Sequence, residues 1–97
     1  MTITKNLNGT NLEIALEGRL DTTTAPELEA ELKKSMPGAE SLTLDFGKLE
    51  YISSAGLRVL LMAVKKLGAD SVTVCNTSDA VKEIFETTGF DQLITVR

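Results

Sequence analysis

A loop leading from a strand into a helix is predicted at Tyr51–Leu61, YISSAGLRVLL. Two serines stand directly before an apolar run, and serine is a favoured N-cap because its oxygen accepts from the free N–H groups of a first helical turn. The apolar residues that follow recur at the i, i+3, i+4, i+7 spacing of one buried helical face: Leu57, Leu60, Leu61, Val64 and Leu67. We therefore expect Ser54 on the surface at the positive end of a helix dipole, where an anion is stabilised.

The residues before this loop predict two strands and a helix. Weak alternation in residues 2–7 and clear alternation in Leu12–Leu16 indicate the strands, and Asn8-Gly9 between them is a turn signal. A hairpin is favoured, although pairing through another strand remains an alternative. Asp21 and the three threonines after it offer caps for the helix, and Pro26 suits its first turn.

The remaining residues alternate between strands and helices. A strand over Ser41–Phe46 is followed by Gly47–Glu50, which is predicted to turn toward the central loop. Gly68 ends the central helix, Ser71–Cys75 forms a β-branched strand, and a third helix runs from Ser78 or Thr77 to Gly89, with a final short strand at Leu93–Val96. This order implies right-handed crossovers. The predicted fold class is α/β, a mixed and mostly parallel sheet of four to five strands with about three or four helices in one domain, 1–97.

Composition narrows the classes of function. The chain has 97 residues, of which 42% are hydrophobic and 25% charged. Its net charge is −4 and its sequence has no dense basic patch, so nucleic acid is not expected as a partner. Cys75 is the only cysteine, which fits a reducing compartment. The first five residues carry no signal-peptide apolar region, and the apolar run Val59–Val64 is too short to cross a bilayer. A cytoplasmic protein without membrane insertion is predicted.

No catalytic constellation is visible. Because the chain has no histidine, neither a Ser-His-Asp triad nor a Cys-His pair at Cys75 can form. Phosphate-binding glycine motifs and zinc-ligand spacings are also missing from the sequence. Asp45 is interpreted as a turn-stabilising carboxylate. The chain is therefore predicted not to be an enzyme, and no cofactor or metal site is expected.

Several motifs, in order, resemble one family over nearly the whole chain. Ile52–Leu61 closely resembles the phosphoacceptor loop of bacterial anti-sigma-factor antagonists, the STAS domain family. Gly18–Asp21 is similar to the family motif that ends the second strand, and Leu44–Phe46 to the strand before the loop. Ser78–Val81 and Phe85–Phe90 resemble the late capped helix and its glycine stop. Agreement of several parts in order is more specific than any single motif.

The resemblance implies a partner-switching regulator. An anti-sigma factor that is itself a serine kinase would bind the unphosphorylated chain, release its sigma factor, and end the complex by phosphorylating Ser54. A PP2C-type phosphatase would reset the switch. Ser53 takes the place of a frequent aspartate and is a competing acceptor, and Ala55 replaces a second serine. The alternatives are a STAS interaction module without phosphorylation, as in a lipid-transport or signalling assembly, and a domain that binds a nucleotide or another small ligand.

A partner surface is predicted beside the acceptor. With the leucines facing inward, the helical wheel turns Val59 and Met62 outward, flanked by Arg58 and Lys66. A small outward apolar strip of this kind is a candidate docking surface. Gly56 is expected to allow close backbone packing at the first turn. The predicted partner-binding set is Asp21, Ser53, Gly56, Arg58, Val59 and Met62.

Overall fold

The chain begins with an antiparallel hairpin. In the computed structural model, which describes residues 1–97, β1 (Thr2–Asn8) pairs with β2 (Asn11–Leu20). Asn8 and Asn11 form the closing pair, so Gly9 and Thr10 are the central turn residues rather than Asn8 and Gly9. Gly9 has φ +66°, the left-handed conformation that such turns need at their first central position. The favoured hairpin is confirmed.

One five-stranded sheet organises the chain. Its order is β1-β2-β3-β4-β5, and every pair after the hairpin is parallel. The predicted α/β class with a mostly parallel sheet is confirmed. The other elements are α1 (Ala25–Ser35), β3 (Ser41–Ile52), α2 (Ser54–Leu67), β4 (Val72–Cys75), α3 (Asp79–Thr88) and β5 (Thr95–Val96), with 3-10 turns at Ala69–Ser71 and Phe90–Gln92.

The helices lie together on one face of the sheet. Each crossover from β2 to β5 moves to the next strand in the same direction, and right-handed connections of this kind place their helices on a common side. Burial alternates accordingly: Leu42, Leu44 and Phe46 of β3 are buried, whereas Thr43 and Asp45 are half-exposed. A single apolar core of 23 buried residues lies between this face and the helices.

The prediction of a turn at Gly47–Glu50 is wrong, because β3 continues through these residues to Ile52. The register against β2 shifts twice, between Ala15 and Glu17 and again after Gly18, which accommodates extra residues in β3 as bulges. Asp45 stabilises the first irregularity, since its Oδ1 accepts from the Gly47 N–H at 2.9 Å and from Asn76 Nδ2 at 3.1 Å. The longer strand carries the chain directly into α2.

The boundaries of α3, near the end of the chain, lie at the cap and glycine residues predicted from the sequence. Ser78 Oγ accepts from the Val81 N–H at 3.3 Å, and Gly89 ends α3 in the left-handed conformation with φ 78°. Phe90 then folds back beside Phe85, with ring centroids 6.3 Å apart. No helix has the length and apolar character required to cross a membrane.

Candidate functional site

Ser53 is the N-cap of α2 and is fixed in place by the backbone around it. Its φ of −98° and ψ of 175° are extended, and its Oγ accepts from the Gly56 N–H at 3.4 Å. The Ser53 N–H donates to the Leu20 carbonyl at 2.8 Å, which ties the end of β3 to the end of β2. The side chain is half-buried. The capping hydroxyl of this pair of serines therefore belongs to Ser53.

Ser54 is the first residue of α2 and is exposed, as the sequence predicted. Its hydroxyl makes no hydrogen bond within the chain, unlike that of Ser53. Helix geometry also leaves the N–H groups of Ser54 and Ala55 without intrahelical acceptors. The first turn of α2 contains no acidic residue. A free hydroxyl thus lies at an electropositive helix start.

Gly56 is buried and sets how closely α2 approaches the sheet. A Cβ added there would lie 2.7 Å from Leu20 Cγ and 2.9 Å from Ile52 Cγ1, closer than real Cβ contacts. The predicted close packing at the first turn is confirmed. The predicted place of Gly56 on the partner surface is wrong, because the last residues of β2 and β3 cover it.

Val59 does not face outward, and this prediction is also wrong. Its side chain is only 4% exposed and belongs to the core. The buried residues of α2 are Gly56, Leu57, Val59, Leu60 and Ala63, whereas the predicted Leu61 and Val64 are only half-buried. At 100° per residue, the buried face is rotated by about 60° from the predicted one. The cause is α1, which packs beside α2 and covers the side that Val59 occupies.

The exposed side of α2 begins at Ser54. Ser54, Arg58 and Lys65 are exposed and lie within a narrow arc of the helix, with Leu61 and Met62 half-buried at its margins. We call these five residues the outward strip. Arg58 and Met62 thus lie at the surface of α2, as the sequence predicted, whereas Val59 is buried.

Asp21 stabilises the turn that leads into α1, whose N-cap position is Thr24. Its Oδ1 accepts from the N–H groups of Thr23 at 3.0 Å and Thr24 at 3.1 Å. The Thr24 N–H is the main cause that lowers the pKa of Asp21, and the Thr23 N–H acts in the same direction against the opposing effect of burial. Asp21 directly follows Leu20, whose carbonyl accepts from the Ser53 N–H. The two predicted residues, Asp21 and Ser53, therefore lie at the carboxyl ends of the neighbouring strands β2 and β3.

A shallow groove of about 210 Å³ separates the starts of α1 and α2. Sequence reasoning missed its α1 side, although Pro26 and Glu29 follow closely after Asp21 in the same segment. The groove joins the two helix starts into one continuous surface next to Ser54. It is lined by Thr22, Ala25, Pro26, Glu29, Ala55, Arg58 and Val59.

A larger depression lies on the opposite, uncovered face of the sheet. It has a volume of about 410 Å³, and its lining residues include Thr4, Glu17 and Asp45. Nearby Cys75 is half-buried, and burial, together with the Asp45 carboxylate, raises the pKa of its thiol. A thiol in this state is a poor nucleophile. The residues that sequence and geometry bring together are therefore at the α1–α2 end of the molecule.

Comparison with known proteins agrees with this geometry. Residues 3–95 match the family described as Mlab, STAS domain. BtrV of Bordetella bronchiseptica, named as a proposed anti-sigma factor antagonist, is 41% identical over 78 residues, which cover 77% of this chain and 67% of BtrV.

Solved structures share the whole fold at lower identity. An anti-sigma factor antagonist from Mycobacterium paratuberculosis has a TM-score of 0.87 at 24% identity, covering 98% of this chain and 83% of that one. Unphosphorylated SpoIIAA has a TM-score of 0.84 at 18% identity, covering 99% and 88%. The phosphorylated form of Bacillus SpoIIAA has a TM-score of 0.76 at 17% identity, covering 99% and 91%. With the family match, the BtrV relationship and the shared fold in agreement, this chain belongs to the STAS domain family of anti-sigma-factor antagonists.

Proposed function

We propose that the unphosphorylated chain binds an anti-sigma factor that is also a serine kinase, and that this binding frees a sigma factor. Phosphorylation of Ser54 by the bound kinase ends the complex, and a PP2C-type phosphatase restores the binding form. The observation that carries the proposal is that the hydroxyl groups of Ser53 and Ser54 have different environments. Ser53 is occupied as an N-cap, whereas Ser54 presents an exposed hydroxyl without a hydrogen bond.

The fold can accept a phosphate at this position. Phosphorylation adds a charge of about −1.5 to −2 and three acceptor oxygens. At the first helical residue these meet free N–H groups and the positive end of the dipole, a stabilisation of about 0.3–1 kcal/mol. The modification therefore changes which partner can dock beside the groove rather than whether the domain folds.

Transfer of the phosphoryl group depends on the partner. No histidine is present in the chain, and Asp21, which directly follows β2, is engaged by backbone N–H groups. The kinase must therefore position the Ser54 hydroxyl, supply its base, and hold ATP with Mg²⁺. In this proposal the chain is a regulator and phosphoacceptor, not a catalyst, and acts in the cytoplasm where its partners meet.

The proposal is tested by phosphorylation with a matched pair of variants. The anti-sigma factor that co-purifies with the Ser54→Ala chain is incubated with ATP and with wild type, Ser54→Ala or Ser53→Ala. We expect intact mass to gain one phosphate on wild type and on Ser53→Ala, and none on Ser54→Ala. Phosphate on Ser54→Ala but not on Ser53→Ala would move the acceptor to Ser53. No gain on wild type with an active kinase would contradict the switch and favour an interaction module without phosphorylation.

A further inference from the structure

We propose that Arg58 is an internal clamp for the phosphate on Ser54. In the unmodified chain Arg58 lines the α1–α2 groove. After phosphorylation its guanidinium pairs with the phosphate, so the groove loses its cation. This inference rests on the proposed phosphorylation of Ser54 and assigns a second residue to the same switch.

Helix geometry places the two side chains within reach. Ser54 and Arg58 are four residues apart in α2 and are both exposed. Residues at this spacing are surface neighbours, with Cβ atoms about 5–6 Å apart. Long helical side chains lean toward the helix N-terminus and over the residue one turn before them. Arg58 can therefore reach a phosphate on Ser54 without any change in the backbone.

Arg58 has no competing partner inside the chain. The two ion pairs of the molecule are Lys5–Glu31 at 3.2 Å and Lys33–Glu29 at 3.3 Å. Glu29 lies across the groove from Arg58, but Lys33 already pairs with its carboxylate. A phosphate matches the planar fork of a guanidinium and can accept from it in bidentate fashion. The modification thus supplies the anion that Arg58 lacks.

Of the cations on the outward strip, Arg58 is the one within reach of Ser54. Asp21, at the adjacent start of α1, is an anion and repels a phosphate. Lys65, the next cation of the outward strip, lies eleven residues beyond Ser54, about 16 Å along the helix axis. No acid in the first turn of α2 would compete with the phosphate for Arg58.

The clamp makes phosphorylation act twice on the docking surface. Unmodified, the groove offers an unpaired guanidinium beside Pro26, suited to an acidic group of the partner. Modified, the same guanidinium is engaged by the phosphate, and a dianion stands at the edge of the groove. A partner that places a carboxylate against Arg58 therefore loses an attractive contact and meets a repulsive one.

The clamp is tested without any kinase by inserting phosphoserine in place of Ser54 during translation. The second pKa of the phosphate, ordinarily about 6, is followed by ³¹P NMR in the intact chain. We expect it to rise by about 0.3 or more in Arg58→Gln, because the paired cation favours the dianion. Lys65→Gln, which removes the same charge from the same strip, should leave it unchanged. Equal values in Arg58→Gln and Lys65→Gln would overturn the clamp.

A binding cycle gives the second readout. With the anti-sigma factor as partner, the loss of affinity caused by phosphoserine should be at least about threefold smaller in Arg58→Gln than in wild type, because one of its two causes is already removed. Equal losses in both backgrounds would contradict the clamp. The ³¹P titration holds even if no kinase modifies Ser54, so failure of the proposed function and failure of the clamp are distinguishable.

Discussion

Ser53 and Ser54 carry the same side chain, but their positions at the helix start separate a structural role from an accessible one. We expect Ser53→Ala to lower the free energy of unfolding by about 1 kcal/mol, because the cap on the Gly56 N–H is lost. Ser54→Ala should change it by less than about 0.5 kcal/mol, since its hydroxyl has no partner. Urea unfolding of the two variants measures both. Equal losses would contradict the assignment of the cap to Ser53.

A second prediction for a single residue concerns a negative charge at position 54. Ser54→Asp should keep the fold, because an acid suits the first helical turn, and should weaken binding of the anti-sigma factor. Ser54→Ala is the matched control and should bind as wild type does. Titration calorimetry against the anti-sigma factor compares the three chains. Wild-type affinity of Ser54→Asp would mean that charge is not the switch.

Asp21 predicts a dependence on pH. Because N–H groups from Thr24 and Thr23 lower its pKa in the folded chain, the unfolded chain holds this proton more tightly. The carboxylate therefore stabilises the fold above its unfolded pKa, and this stabilisation is lost as pH falls through the lower folded pKa. In Asp21→Asn the unfolding free energy should fall less steeply with acid below about pH 4. Parallel urea midpoints for both chains across that range would remove the prediction.

At the scale of the element, local signals decided which boundaries could be predicted. The end of α2 at Gly68 and the cap and stop of α3 at Ser78 and Gly89 match the sequence, because each depends on one residue and its own backbone. The extent of β3 does not depend on such a signal. Gly47 resembles a turn residue, and only the pairing with β2 and the Asp45 carboxylate keep the strand in the sheet.

Gly56 links the same element to its neighbours and gives a further prediction. Replacing it with alanine gains about 1 kcal/mol of helix propensity. The new methyl would meet Leu20 and Ile52 at 2.7–2.9 Å, and overpacking of this kind costs about 1–3 kcal/mol. We expect a net loss of stability and weaker partner binding, because the start of α2 is displaced from the sheet. Thermal unfolding and binding of Gly56→Ala measure both, and a stabilised variant would show that the contact relaxes freely.

At the scale of the whole molecule, the orientation of α2 could not be predicted from its own periodicity. Apolar spacing identifies one buried face of a helix, but it does not show how many neighbouring elements cover that helix. Val59 is buried because α1 lies alongside α2. The sequence allowed Asp21, Ser54 and Arg58 to be named as residues of the candidate site. It did not allow the groove to be predicted, because the two walls of the groove come from separate helices. Only the tertiary arrangement of α1 and α2 creates that surface.

The same arrangement leaves one face of the sheet without helices, and adjacent residues of the central strand test this asymmetry. Leu44 lies in the core, fully buried, while Thr43 is half-exposed on the uncovered face. Leu44→Ala should lower the free energy of unfolding by about 2–5 kcal/mol through lost burial and a residual cavity. Thr43→Ala should cost less than about 1 kcal/mol, because the change is limited to strand propensity and a hydrogen bond of 3.3 Å to Asn11. Chemical unfolding of the two variants gives the comparison. Similar losses would mean that the second face is covered in solution, and that the sheet does not have the one-sided covering described for it.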